Sequence, residues 1–144
     1  MFTRIPNEKG AVTYSKNIME QAIREAFTPF KANCWGGKYT GQGADAMFRL
    51  NMLDAPGVKE LSWSDAGVFV KLYVIVRIGT PIRSTLEEII ASIAEEITES
   101  LELPIDNIVV NVTAVAGSKA FLKRDITLDY HGNFHNADDD EEQQ

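Results

Sequence analysis

The chain has 144 residues, a formal net charge of −7 and 44% hydrophobic residues. That length suits one domain with a core that needs no staples, and the single cysteine, Cys34, excludes an internal disulfide framework. The acidic balance disfavours binding to phosphate backbones, because only Lys119, Lys123 and Arg124 fall close together in sequence.

The start, MFTRIPNEKG, has no apolar core of a secretory signal. The most apolar run, residues 68–78, carries Lys71 and Arg77 and is too short to cross a bilayer as a helix. A cytoplasmic protein is expected, peripheral at a membrane only through a partner.

Taken in order, residues 1–9 are polar and read as a flexible start. AVTY (residues 11–14) reads as a short strand, and Ser15 as the N-cap of a helix over residues 16–28. In that helix Ile18, Met19, Ala22, Ile23, Ala26 and Phe27 share one face, and Pro29 ends it. Residues 31–44 hold four glycines and no periodicity, which predicts a loop. Their spacing fits neither GxGxxG nor GxxxxGK[ST], so no phosphate cradle is read there. Trp35 and Tyr39 in this loop are expected to cover the end of the core.

Residues 46–53 have the alternation of a strand, and Asp54-Ala55-Pro56-Gly57 that of a turn. Residues 58–64 then form a hairpin with a long strand over residues 67–79. In the long strand Val68, Val70, Leu72, Val74, Val76 and Ile78 alternate onto one face. A helix follows to Leu101, with Leu86, Ile89, Ile90, Ile93, Ala94, Ile97 and Leu101 in one stripe. Ser84 with Glu87 reads as its capping box, with Pro81 just before. IDNIVVNVTAVA (residues 105–116) is a further strand. Ile126, Leu128 and Tyr130 suggest a short extra one, and the end, NADDDEEQQ, reads as an acidic disordered tail.

One-sided strands and one-sided helices bury their faces against each other. The expected fold is therefore α+β, a two-layer sandwich of β-α-β-β-α-β-like order with one sheet and two helices on one face. Residues 10–117 form the domain and residues 118–144 a C-terminal extension.

The run from GVKELSWSDAGVFVKLYVIVRIG through the helix to IVVNVTAVAG resembles the alkaline shock protein, or envelope stress response, family of Gram-positive bacteria. VKLYVIVRIG, Ile82, the amphipathic helix and IVVNVTAVAG stand where the family has its long strand, turn, helix and following strand. GAVTYSKNIMEQAIREAF looks like the family's opening strand and helix, so the resemblance covers residues 10–117. The connection after the first helix is longer here than in the family, and residues 118–144 have no counterpart. The resemblance implies a non-enzymatic envelope stress response or scaffold protein. It would form homo-oligomers near the cytoplasmic membrane face, docked there by an integral membrane protein.

The residues themselves show no catalytic, cofactor or metal constellation. Cys34 reads as a small inert hydrophobe. His131 and His135, with Asp129 and Asp138 nearby, have too few ligands and too flexible a setting for a zinc site. They read as part of a solvated tail. Glu87 and Glu88, like Glu95 and Glu96, are adjacent on a helix and diverge, so they form no acid/base pair.

What remains is the second face of the long strand, where Phe69, Tyr73 and Ile75 oppose the main apolar row. It is the candidate interaction face, open unless the 31–44 loop or the C-terminal segment covers it. Phe69 and Tyr73 with Lys71 between them also suggest an RNA-binding alternative, without its signature motif. A small-ligand regulatory domain is a further alternative. Neither nucleic acid nor direct lipid binding is expected from the linear distribution of charge.

Overall fold

A computed structural model describes residues 2–7, 10–37, 39, 57–118 and 120–137. The elements are β1 (Phe2–Asn7), β2 (Gly10–Ser15), α1 (Lys16–Phe27), β3 (Cys34–Gly36), β4 (Gly57–Ser64), β5 (Gly67–Arg77), α2 (Ile82–Glu95), β6 (Ile105–Ala116), β7 (Phe121–Asp129) and β8 (Phe134–Asn136). The chain forms an α+β sandwich: one mixed six-stranded sheet, with α1 and α2 packed on one of its faces.

The sheet is built around β5. On one edge β4 pairs antiparallel with its first part, from Gly67 to Tyr73, and β3 with Val74 to Val76. On the other edge β6 runs parallel to β5, followed by antiparallel β7 and β8. A parallel pair needs a long crossover, and α2 supplies it. The alternation of β5 explains the core: Val68, Val70, Leu72, Val74 and Val76 are fully buried against Met19, Ile23 and Phe27 of α1 and Leu86, Ile89 and Ile93 of α2. Ile108, Val110, Val112, Ile126 and Leu128 continue the same layer. Ser92 Oγ donates to the Ala26 carbonyl at 2.7 Å and ties the two helices together.

The local signals explain the element ends. Ser15 caps α1, its Oγ accepting from Ile18 N at 3.2 Å. Pro29 does not stop the chain at once. It sits in a 3₁₀ turn, Thr28–Phe30, that continues α1. Gly67 takes φ +120, and a Cβ there would lie 2.6 Å from the Pro104 carbonyl oxygen. Only glycine allows β5 to start this close to the residues leading into β6.

Several sequence expectations are corrected. Residues 2–7 are not a loose start: they form β1, which pairs with β2 from Phe2↔Ser15 to Asn7↔Gly10. This hairpin is a separate two-stranded sheet, so the strand before α1 does not join the central sheet. Within the segment read as a loop, Cys34–Gly36 is a strand, because the open edge of β5 offers backbone partners that local periodicity cannot reveal. Ile78 is 57% exposed, since β5 ends at Arg77 and the chain turns at Gly79. The capping box is absent: α2 starts at Ile82 with Pro81 as its cap, and Ser84 Oγ donates back to the Pro81 carbonyl. Glu87 instead faces Arg83 at 3.5 Å.

After Glu95 the helix widens into a π turn, Glu96–Ser100, in which Leu101 N donates to Glu96 O. Glu102 at φ 56 and the bond from Leu103 N to Ile97 O then close the helix end without a glycine. Residues 121–136, read as extension, supply β7 and β8 to the same sheet. The expected strand at 46–53 and the acidic segment from residue 138 lie outside the described residues.

Candidate interaction face

Parity along β5 puts Phe69, Lys71, Tyr73, Ile75 and Arg77 on the face away from the helices. The structure divides this face in two. Toward the end of β5, Ile75 is only 4% exposed. With Ala114 and Ala116 it forms a second small core under Trp35, Tyr39 and Phe121. Trp35 stands opposite Ile75 in the β3–β5 register, and the Arg77 guanidinium lies 5.6 Å from its ring centre. The Tyr39 and Phe121 rings stack at 5.1 Å. Ile75 is therefore not part of an open surface: Trp35 and Tyr39 of the 31–44 segment and Phe121 of the C-terminal segment together cover it.

A bulge makes this cover possible. The β5–β6 register shifts between Val74 and Ile75, and the β6–β7 register between Val112 and Ala114. Thr113 is the residue in the irregularity. It is buried, and its hydroxyl donates to Val74 O at 3.3 Å while accepting from Tyr39 N at 3.0 Å. Bulges re-aim side chains and increase local twist; here the bulge brings Ala114 and Ala116 under the aromatic rings.

Toward the start of β5 the face has a different character. Phe69, Lys71 and Tyr73 are half-buried, and so are Asn107, Val109 and Asn111, their register partners on β6. Lys71 Nζ sits 5.9 Å from the Tyr73 ring centre. The polar members are engaged within the sheet: Asn111 Nδ2 donates to Asp125 Oδ1 at 2.9 Å and Thr127 Oγ1 at 2.8 Å. This stretch presents aromatic and aliphatic surface around the Lys71 ammonium, with Asn107 and Asn111 bonded within the sheet.

The other singled-out residues fall elsewhere. Cys34 is buried on the helix side of the sheet, where burial pushes its thiol up to about 11. His131 and His135 are not in a solvated tail but in the β7–β8 hairpin: His131 Nε2 lies 2.8 Å from the Asp106 carbonyl oxygen, and His135 pairs with Thr127. Asp129 organises that hairpin. Its Oδ1 accepts from His131 N and Asn133 N, and its Oδ2 from the side chains of Asn133 and Asn107. Burial alone would raise its pKa, but the bonds from Asn133, Asn107 and His131 outweigh that and hold it below the ordinary carboxylate value. Among the described residues no three His, Cys, Asp or Glu side chains gather as metal ligands would.

One feature escaped sequence reasoning entirely. A groove of about 420 Å³ runs between α2 and the β7–β8 turn, with Ile90, Leu128 and Tyr130 among its walls. Arg83 closes one side by lying over the Phe134 ring at 4.7 Å. Its two sides are far apart in sequence, so no local pattern marks it.

No described helix is long and apolar enough to cross a membrane. No protein family, curated protein or solved structure matches the chain.

Proposed function

We propose that this protein is a non-enzymatic interaction module of the alkaline shock protein type, a scaffold that associates with copies of itself through the open part of its sheet. The observation that carries this reading is the half-buried stretch of Phe69, Tyr73 and Val109 on the face opposite both helices. Aromatic residues are enriched at the centre of protein–protein contacts, and the Asn107 and Asn111 side chains beside them are already bonded within the sheet. A second copy is the partner this reading names, since one patch on two identical chains can close into a two-fold dimer. In this reading the scaffold works at the cytoplasmic face of a membrane, recruited by an integral membrane protein, as the resemblance implies.

Mass measured by light scattering tests the association. Wild type should run above the monomer mass and Phe69→Asp at it. A wild type that remains monomeric would leave the groove beside α2 as support for the alternative, a small-ligand regulatory domain.

A further inference from the structure

Register brings together residues that the sequence keeps apart. Because β5 and β6 are parallel and β7 antiparallel, the end of β5, the end of β6 and the start of β7 share one end of the sheet. Arg77 lies level with Ala116 and Phe121, Val76 with Val115 and Leu122, and Ile75 with Ala114 and Lys123. Arg77 N donates to Asn33 O at 2.8 Å, which places the turn carrying Lys31 at the same end. Lys31, Arg77, Lys123 and Arg124 therefore gather there, with Asp125 the nearby acid, already bonded to Asn111.

The opposite end is acidic. Asp65 occupies the β4–β5 turn, and Glu102 and Asp106 flank the start of β6, next to the start of β5. The −7 total thus hides a separation of charge along the strands. At distances within a Debye length, about 8–10 Å, the local cluster and not the total sets the field.

Two exposed aliphatic side chains share the basic end. Ile78, 57% exposed, follows Arg77 in the turn, and Leu122, 48% exposed, precedes Lys123. Ile78 N donates to the Ala116 carbonyl at the end of β6, and Leu122 stands on β7, the strand next to β6. Exposed aliphatics at the same end of the sheet as several cations match an anionic bilayer, whose headgroups take the charge while the apolar tips enter the interface. A nucleic acid would be served better by exposed aromatic rings for stacking, and the Trp35 and Tyr39 rings at this end are packed over Ile75.

We propose that this end, carrying Arg77, Ile78, Leu122, Lys123 and Arg124, is a direct contact for an anionic lipid surface. The contact is independent of self-association and supplements any membrane protein partner. The experiment is cosedimentation of the full chain with vesicles of phosphatidylcholine alone and of phosphatidylcholine with roughly one-third phosphatidylglycerol. Binding is expected only to the anionic vesicles, with at least about a tenfold loss in approximately 1 M salt, where the Debye length is ~3 Å. The double variant Lys123→Glu/Arg124→Glu should lose binding to a similar degree. Ile78→Ser/Leu122→Ser should weaken it severalfold, with unchanged circular dichroism melts for both. The proposal is overturned by equal binding to both vesicle types, by no binding to either, or by full binding of the folded charge-reversed variant. Binding of polyuridylate without binding to anionic vesicles would also overturn it and assign the basic end to nucleic acid.

Discussion

The Thr113 hydroxyl accepts the Tyr39 backbone N–H at 3.0 Å while donating to the Val74 carbonyl at 3.3 Å. One buried hydroxyl thus joins the segment after β3 to the middle of β5 and to the bulge in β6. It is how the small core over Ile75 is tied to the sheet, on a second face whose other part, around Phe69 and Tyr73, is half-buried.

Thr113→Val keeps the shape and removes both bonds. The Tyr39 N–H would then lose its acceptor, which costs about 1–3 kcal/mol when such a group stays buried. The expected outcome is a lowered melting temperature together with changed near-ultraviolet circular dichroism from the Tyr39–Phe121 stack. An unaltered aromatic signal would show that the stack does not depend on this hydroxyl.

Ile93 lies on α2 in the main core and is fully buried. Ile93→Ala should cost about 2–5 kcal/mol, the range for emptying a packed aliphatic site. A denaturant titration should show a lower midpoint. An unshifted midpoint would place Ile93 outside the core.

How much of this was legible in the sequence follows from which interactions decide each element. β5, α2 and β6 were readable because each buries one face, so Val70, Ile93 and Val110 recur at the period of their element. β3 was not, because Cys34, Trp35 and Gly36 are held by pairing with β5 and have no period of their own. Ile78 continued the alternation in sequence but not in space, since alternation cannot show where a strand stops. For the candidate face, parity correctly put Phe69 and Tyr73 opposite the core row. The fate of Ile75 depended on Trp35, Tyr39 and Phe121 arriving from distant segments. The basic end was invisible for the same reason: Arg77 and Lys123 become neighbours only through the parallel β5–β6 register.

Cys34 offers a chemical check on the packing beneath β3. Burial pushes its thiol up to about 11, so at pH 8 almost none of it is thiolate. In the folded protein a disulfide reagent such as dithionitrobenzoate should react far more slowly than in denaturant. The rate should also increase with pH up to the thiol's own value. Fast labelling at pH 8 without unfolding would mean that β3 does not seal this side of the core.

The central claim is that the open part of the sheet is a self-association surface, and sedimentation equilibrium of wild type and Tyr73→Asp tests it most directly. Tyr73 is half-buried on that face, so a carboxylate there should disrupt an apolar contact while leaving the core untouched. The account predicts a concentration-dependent mass above the monomer for wild type and a folded monomer for Tyr73→Asp. A wild type that stays monomeric up to about 100 μM, far weaker than a stable assembly, would contradict it.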